Sequence, residues 1–435
     1  MTQIDRPLFT LEFKEEPYWW EAAPRPFASQ LPLPKQVDVL VVGSGYTGLS
    51  AALQTARGGR ETLVLDAEDI GWGCSSRNGG IVSTSFKPSL DELAARHGRE
   101  CAFRMLQEGH NAFAYIADFI EKEHIECDWQ RAGRFHAAHN PRQYEKLASE
   151  IANQPKGLEI EAHMVPRAEQ QDEIGTDVYH GGCVYPTHAG LHPARYQAGL
   201  FEAVRAAGAT VQGNCPVAHI EQNGKRFHVT TPSGSIDTRD VILATNGYTN
   251  AIAPWQRRRV IPIGSYMIAT EPIGSTLMGT LVPKGRMLTD TRKLVYYYRP
   301  SPDRTRIVFG GRVALKETDP RVSAPRLHAA MTTIFPDLAA TRISHSWVGF
   351  VAFTFDTMPH TGIQDGIHYA MGYCGSGVSL ASYFGMRIGQ RVLGSSEGRT
   401  AIDDIPFPTR PLYSGNPWFL APSIAYYRLR DRLNV

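Results

Sequence analysis

The hexapeptide Gly43-Ser44-Gly45-Tyr46-Thr47-Gly48 has the G-x-G-x-x-G spacing that brings a main chain up to a pyrophosphate. The first glycine permits a tight turn. The second removes the side chain that would block the phosphates, and the third lets a helix pack close against a strand. A helix starting here offers free N–H groups and a partial positive charge to phosphate oxygens. Asp66 lies 18 residues beyond Gly48. An acid there accepts hydrogen bonds from the adenosine ribose hydroxyls and disfavours a 2′-phosphate, so NADP is not expected. Tyr46, Thr47 and Ala67 fall within the same constellation.

Such a turn also occurs in unrelated α/β proteins, so the elements around it decide its meaning. Residues 37–42 read as a short buried strand, residues 48–57 as a helix stopped by Gly58-Gly59, and residues 62–65 as a second strand ending on Asp66. Together they form a βαβ unit of about thirty residues. Residues 71–80, Gly-Trp-Gly-Cys-Ser-Ser-Arg-Asn-Gly-Gly, follow as a polar, glycine-dense loop where a long dinucleotide would run on towards its reactive ring. Ser76, Arg77, Asn78, Gly79 and Gly80 are its candidate contacts. The strand at 240–245 ends in small residues, and Ala244, Thr245, Asn246 and Gly247 suit a close main-chain approach. A late strand, turn and helix over 367–393 places Gly375, Ser376, Gly377, Val378 and Ser379 at a second helix start. That helix start can stabilise negative charge on a bound ring.

Elsewhere, residues 89–124 show apolar recurrence every three or four positions, residues 192–207 read as a helix, and 211–217, 218–220 and 227–231 read as strand. Residues 260–315 alternate and are rich in Tyr, Val and Ile, which predicts a sheet, and 323–335 predicts a helix. Residues 1–36 form an extended arm expected to pack through Tyr18, Trp19 and Trp20. Lys plus Arg number 45 and Asp plus Glu 43, for a net charge of +2, which gives no reason to expect nucleic acid or an acidic membrane as partner. The six cysteines form no C-x-x-C pair and no zinc-like spacing, so no metal is expected and reduced thiols in the cytoplasm are the reading. No apolar run is long enough to span a membrane, and the N-terminus lacks a signal-peptide core.

Taken together, GSGYTG at 43–48, GWGCSSRNGG at 71–80, VILATNGYT at 241–249, FGGR at 309–312, DTMPHTG at 356–362 and GYCGSGVSLAS at 372–382 resemble the D-amino-acid oxidase superfamily of flavoenzymes, over about residues 37–395. The likeness is strongest to its γ-glutamylputrescine oxidase branch, through the aromatic arm, the SRNGG loop and residues 265–272. It implies an α/β fold: a Rossmann-like FAD-binding domain of the glutathione-reductase type, interleaved with a mixed-sheet α+β substrate domain. On this reading 1–36 is the arm; 37–90, 186–250 and 340–395 bind FAD; 91–185 and 251–339 form the substrate domain; and 396–435 is a tail. It also implies that Val217 and Pro359 contact FAD, and that Tyr266, Tyr297 and His360 lie by the substrate and flavin. Strand alternation points Tyr297 opposite to Tyr296 and Tyr298.

The family's chemistry is hydride transfer from the carbon bearing an uncharged amine to the flavin, with hydrolysis of the imine to an aldehyde and O2 reduced to H2O2. A non-oxygen electron acceptor is the alternative. The departures from the family pattern narrow the substrate. Relatives that oxidise α-amino acids carry an Arg just ahead of the D-x-x-P-x-x-G segment, but residues 347–355 contain none. Sarcosine oxidases have a Lys where this chain has Ser379. A buried carboxylate needs such a partner, so a small-molecule amine or polyamine conjugate is expected, unless Arg299 or Arg312 substitutes. No His lies in 71–80 and no Cys in 340–373, so FAD is expected to be held non-covalently.

Overall fold

A computed structural model describes residues 7–26, 32–403 and 405–433. Two large sheets organise the chain. The first is built on the predicted βαβ unit. The strand Gln36–Val42 runs parallel to Thr62–Leu65 on one side and to Gly234–Leu243 on the other, and Ile367–Met371 runs parallel beside the latter. Four parallel strands therefore end at one edge, bringing together Asp66 and the turns at Gly43, Ala244 and Gly372.

The helices Tyr46–Arg57 and Gly377–Val392 leave that edge side by side. They pack with their backbones almost touching. A Cβ on Gly385 would stand 2.3 Å from the Thr47 carbonyl oxygen, and one on Gly389 would stand 2.7 Å from that of Ala51. This glycine face holds the two helix N-termini close enough to serve one ligand.

The second sheet has nine strands, in the order Phe9–Lys14, Ile343–Thr354, Val260–Thr270, Ile307–Gly311, Tyr297–Pro300, Met287–Asp290, Arg134–Ala137, Gly182–Tyr185 and His163–Val165. One face buries Phe135, Tyr266, Ile268, Leu288, Tyr298 and Phe309 against the helix Pro320–Ile334. The other face carries Met267, Ala269, Val308 and Trp347, packed with Trp19 of the arm and Ala194 of the helix Pro193–Ala206.

Several sequence expectations change in detail. The helical stretch 89–124 is two helices, Leu90–His97 and Arg99–Lys122, because Gly98 adopts φ 80° between them. The capping box of Ser89 with Glu92 starts the first. The strand expected over 211–217 ends at Gln212, because the chain must turn back there: Asn214 has φ 52° and donates its N–H to the Glu68 carbonyl. A helix, Ser275–Leu281, interrupts the sheet region 260–315. The tail contains the helix Leu420–Leu433. Its apolar residues are spread round the axis, Leu420 and Ile424 inward and Tyr426, Leu429 and Leu433 outward, so no periodic face marks it. No helix among the described residues is long and apolar enough to cross a membrane.

Candidate cofactor and substrate site

The turn after Gln36–Val42 has the geometry its spacing requires. Gly43 has φ 108°, and Gly48 lies so close that a Cβ there would sit 1.9 Å from the Gly43 carbonyl oxygen. Gly45 caps the helix without a side chain. A Cβ on it would meet only the Ser75 hydroxyl, at 2.9 Å. Ser75 itself accepts the Tyr46 N–H at 2.9 Å. Its hydroxyl thus occupies the helix N-terminus where a phosphate oxygen would be held, and sequence reasoning did not single it out from its neighbours. Asp66 is half-buried and fixed by the Ser44 N–H and hydroxyl, at 2.7 and 2.6 Å on one carboxylate oxygen, and by the Glu68 N–H at 3.1 Å on the other. Ala67 beside it is exposed. Thr47 bonds the Tyr373 hydroxyl at 2.6 Å, tying this helix to the late glycine turn. The Tyr46 hydroxyl donates to the Pro193 carbonyl at 3.0 Å.

The loop 71–80 is clamped by the arm. Trp19 donates its indole N–H to the Asn78 carbonyl and Trp20 to the Ser76 hydroxyl, each at 2.9 Å. The Arg77 guanidinium lies between the rings of Trp20 and Trp72, at 4.7 and 4.2 Å, so that its charge faces aromatic rings. Asn78 donates to the Cys74 and Ser75 carbonyls and accepts the Gly80 N–H at 2.8 Å. Gly79 faces the Tyr297 ring. At Gly80, φ is 69° and a Cβ would stand 2.1 Å from the Leu191 carbonyl oxygen. A loop held through two indoles should need them. Trp20→Ala removes a hydrogen bond and two cation–π contacts, to Arg77 and Arg25, together about 2 kcal/mol. We expect apoprotein titration to show cofactor affinity falling about tenfold or more.

At the shared strand edge, Ala244 backs onto Gly43, and the Thr245 hydroxyl bonds Thr249. Asn246 accepts the Gly372 N–H at 2.9 Å, bracing one turn with the other, while Gly247 abuts the Phe350 carbonyl. Gly375 has φ 97°, and Ser376 caps the late helix without a side-chain hydrogen bond, leaving the N–H groups at Gly377 and Val378 directed to the edge. Ser379 donates to the Ser83 carbonyl at 3.1 Å. Val217 is buried, and no hydrogen bond among the described residues reaches its N–H or carbonyl. Cys74 and Cys374 donate to the carbonyls of Phe350 and Gly372. Burial pushes both thiols up to about 11, away from the reactive thiolate.

The tyrosines separate by strand alternation. Tyr297 turns to Gly79 and shares a hydrogen bond with Ser265 at 2.8 Å, and burial raises its pKa to about 12. Tyr296 and Tyr298 pack on Phe309 across the sheet. Tyr266 lies on that far face too, donating to Glu317 and accepting the Thr318 N–H, both at 2.8 Å. His360 is 1% exposed, bonded to Asp356 at 3.1 Å and stacked on Phe407 at 4.0 Å. Pro359 before it is buried. Arg299 is buried behind the Gly80 turn and donates to the carbonyls of Gly80, Leu191 and Pro300. Arg312 is held by the Gly264 carbonyl and Glu317, at 2.7 Å each.

The profile of a family described as DAO, FAD-dependent oxidoreductase, matches residues 38–391. The chain belongs to the DAO family. Among DAO relatives, a γ-glutamylputrescine oxidoreductase of Escherichia coli is 31% identical over 407 residues, covering 92% of this chain and 93% of its own. A probable oxidoreductase OrdL of Rhizobium meliloti is 31% identical over 424 residues, covering 95% and 97%. Glycine oxidase from Geobacillus kaustophilus shares the fold, with a TM-score of 0.72 at 16% identity, covering 87% of this chain and 99% of that one.

The protein is thus an FAD-dependent oxidoreductase, and its residues fit the cofactor. Gly43 and Gly48 leave no room for a Cβ against the main chain, Gly45 leaves the helix N-terminus open, the Val217 main chain has no hydrogen bond among the described residues, and two helix N-termini meet at one edge.

Proposed function

We propose that this DAO-family member oxidises the C–N bond of a primary or secondary amine resembling γ-glutamylputrescine. The imine hydrolyses to an aldehyde and O2 becomes H2O2, in the cytoplasm. The observation that carries this reading is the chemistry of the wall beside the cofactor loop. Trp347 donates to the Arg77 carbonyl, Gly349 packs on Cys74 and Arg77, and Phe350 accepts the Cys74 thiol. Residues 347–355 carry no cation. Ser379, the other family position for one, turns its hydroxyl to the main chain. Arg299 and Arg312 already donate to main-chain carbonyls and Glu317, although each keeps a buried guanidinium nitrogen without a partner. A carboxylate on the reacting carbon finds no cation among residues 347–355 or at position 379. The similarity to the E. coli enzyme supports the same substrate class.

Bound FAD would supply the redox chemistry, accepting a hydride equivalent from the amine-bearing carbon. In this reading the Gly43–Gly48 turn, Ser75 and the Gly377 helix start hold its phosphates and the polar edge of its ring. Asp66 takes the ribose and the Val217 main chain the adenine. Asn78, Gly79 and Gly80 shape the loop against the ring. Tyr297 faces that loop with a neutral hydroxyl paired to Ser265, and so closes the site to water and offers a hydrogen bond to the amine. The Asp356–His360 pair fixes the segment before Gly362. No residue need act as a strong base, because the amine reacts uncharged.

Acid precipitation of the yellow protein should release FAD into the supernatant; a yellow pellet over a colourless supernatant would show a covalent link. With γ-glutamylputrescine in air, aldehyde and H2O2 should form in equal amounts. Turnover with an artificial acceptor but no peroxide would assign the electrons to another acceptor.

A further inference from the structure

The C-terminal tail follows one end of the nine-stranded sheet, strand by strand. Tyr413 donates its hydroxyl to the Val260 carbonyl, at the start of Val260–Thr270. Its ring and that of Phe419 pack on Phe355, just past the end of Ile343–Thr354, at 5.2 and 6.2 Å. Arg428 then donates to the Val313 carbonyl, beyond the end of Ile307–Gly311. Asp431 reaches the hairpin between Met287–Asp290 and Tyr297–Pro300. These strands follow one another in the sheet in the same direction. The lengths agree: from Leu420 to Asp431 the helix rises about 16 Å, and the three strand spacings from Ile343–Thr354 to Tyr297–Pro300 measure about 14 Å. This end of the sheet is also the one at the cofactor loop. Tyr297 opens its strand there, opposite Gly310, and turns its ring to Gly79, while Gly349 packs on Cys74 and Arg77.

Asp431 stands in the last turn of Leu420–Leu433, where the helix dipole disfavours negative charge. The helix itself gains nothing from it. Its carboxylate instead accepts the N–H groups of Lys293 and Leu294, at 2.9 Å on one oxygen and 3.2 Å on the other. Among the described residues neither N–H has another partner. The base of the same hairpin is closed separately. Asp290 is fully buried there and accepts the N–H groups of Arg292 and Tyr296, at 3.3 and 3.2 Å. One carboxylate thus fixes residues 291–296 from inside the sheet, and a second, 138 residues beyond Lys293, holds their tip from the tail.

We propose that Asp431 is a positioning residue for Tyr297. By holding the hairpin tip it fixes the start of the strand that sets the Tyr297 hydroxyl beside the reacting amine. This rests on the amine-oxidation reading and deepens it, adding the tail to the parts that build the substrate site. The tail lies beyond residue 391, where the family match ends, so that match does not account for the contact.

The test uses the full-length, FAD-loaded enzyme with γ-glutamylputrescine, as wild type, Asp431→Ala and Asp431→Asn. Alanine removes both acceptors, and asparagine keeps one. Both changes lie at the surface end of a helix, so flavin content and melting temperature should stay at wild-type values. KM should rise about tenfold or more in Asp431→Ala and about threefold in Asp431→Asn, with kcat within about threefold of wild type. A merely structural role would lower flavin content or melting temperature and leave KM unchanged. Hydrogen exchange without substrate gives a second readout. Amides from Lys293 to Tyr297 should exchange about tenfold faster or more in Asp431→Ala. An unchanged KM, or faster exchange that stops at Leu294, overturns the proposal. If Asp431→Ala does not fold, Asp431→Asn decides by the same two measurements. If the wild type does not oxidise the amine, the amine reading fails, and exchange alone then decides: acceleration that reaches Tyr297 supports the positioning role, and its absence overturns it.

Discussion

Gly45→Val should purify colourless, with less than about a tenth of the wild-type flavin content. The wild-type Gly45 position faces only the tip of Ser75, a group that can rotate away. The new side chain therefore costs the protein little and instead fills the space through which the pyrophosphate must reach the helix N-terminus. The apoprotein should keep most of its helix signal and melt close to the wild-type apoprotein. Gly48→Ala makes the contrast. Its Cβ would sit 1.9 Å from a main-chain oxygen that cannot rotate away. The strand and helix must separate, at a cost of about 3 kcal/mol or more. That variant should lose both flavin and stability, seen as a melting temperature well below that of Gly45→Val. Full flavin content in Gly45→Val would mean that the phosphates lie elsewhere.

The second large effect is on substrate choice. Removing a charge-assisted partner from a buried carboxylate costs about 2–5 kcal/mol, a factor of about thirty to several thousand. The wall formed by residues 347–355 carries no such partner, and Ser379 is turned away. Glycine, sarcosine and D-alanine, whose carboxylate sits on or beside the reacting carbon, should each have a kcat/KM at least thirtyfold below that of γ-glutamylputrescine. Putrescine, without any carboxylate, should fall between them. A small amino acid that is the best substrate by tenfold would mean that another cation reaches the reacting end, and the branch assignment would fail while the FAD site stands.

What the sequence revealed followed from how local the physics is. The turn, the strands either side of it and the late glycine helix are written in consecutive residues, and each took the predicted form. The alternation that separates Tyr297 from Tyr296 and Tyr298 was legible for the same reason. Tyr266 sits on a strand whose facing was fixed only when it paired with Ile307–Gly311 and Ile343–Thr354, and it turned to Glu317. Arg77 reads as a loop cation, but two tryptophans distant in sequence or hidden in the same loop take its charge.

The most direct measurement of the central claim is anaerobic mixing of the FAD-loaded enzyme with single amines while the oxidised flavin bands are followed. γ-Glutamylputrescine should bleach them in a saturable first-order phase, at least tenfold faster at equal concentration than glycine, sarcosine or D-alanine. Bands that persist with every amine, or that bleach fastest with a small α-amino acid, would contradict the account.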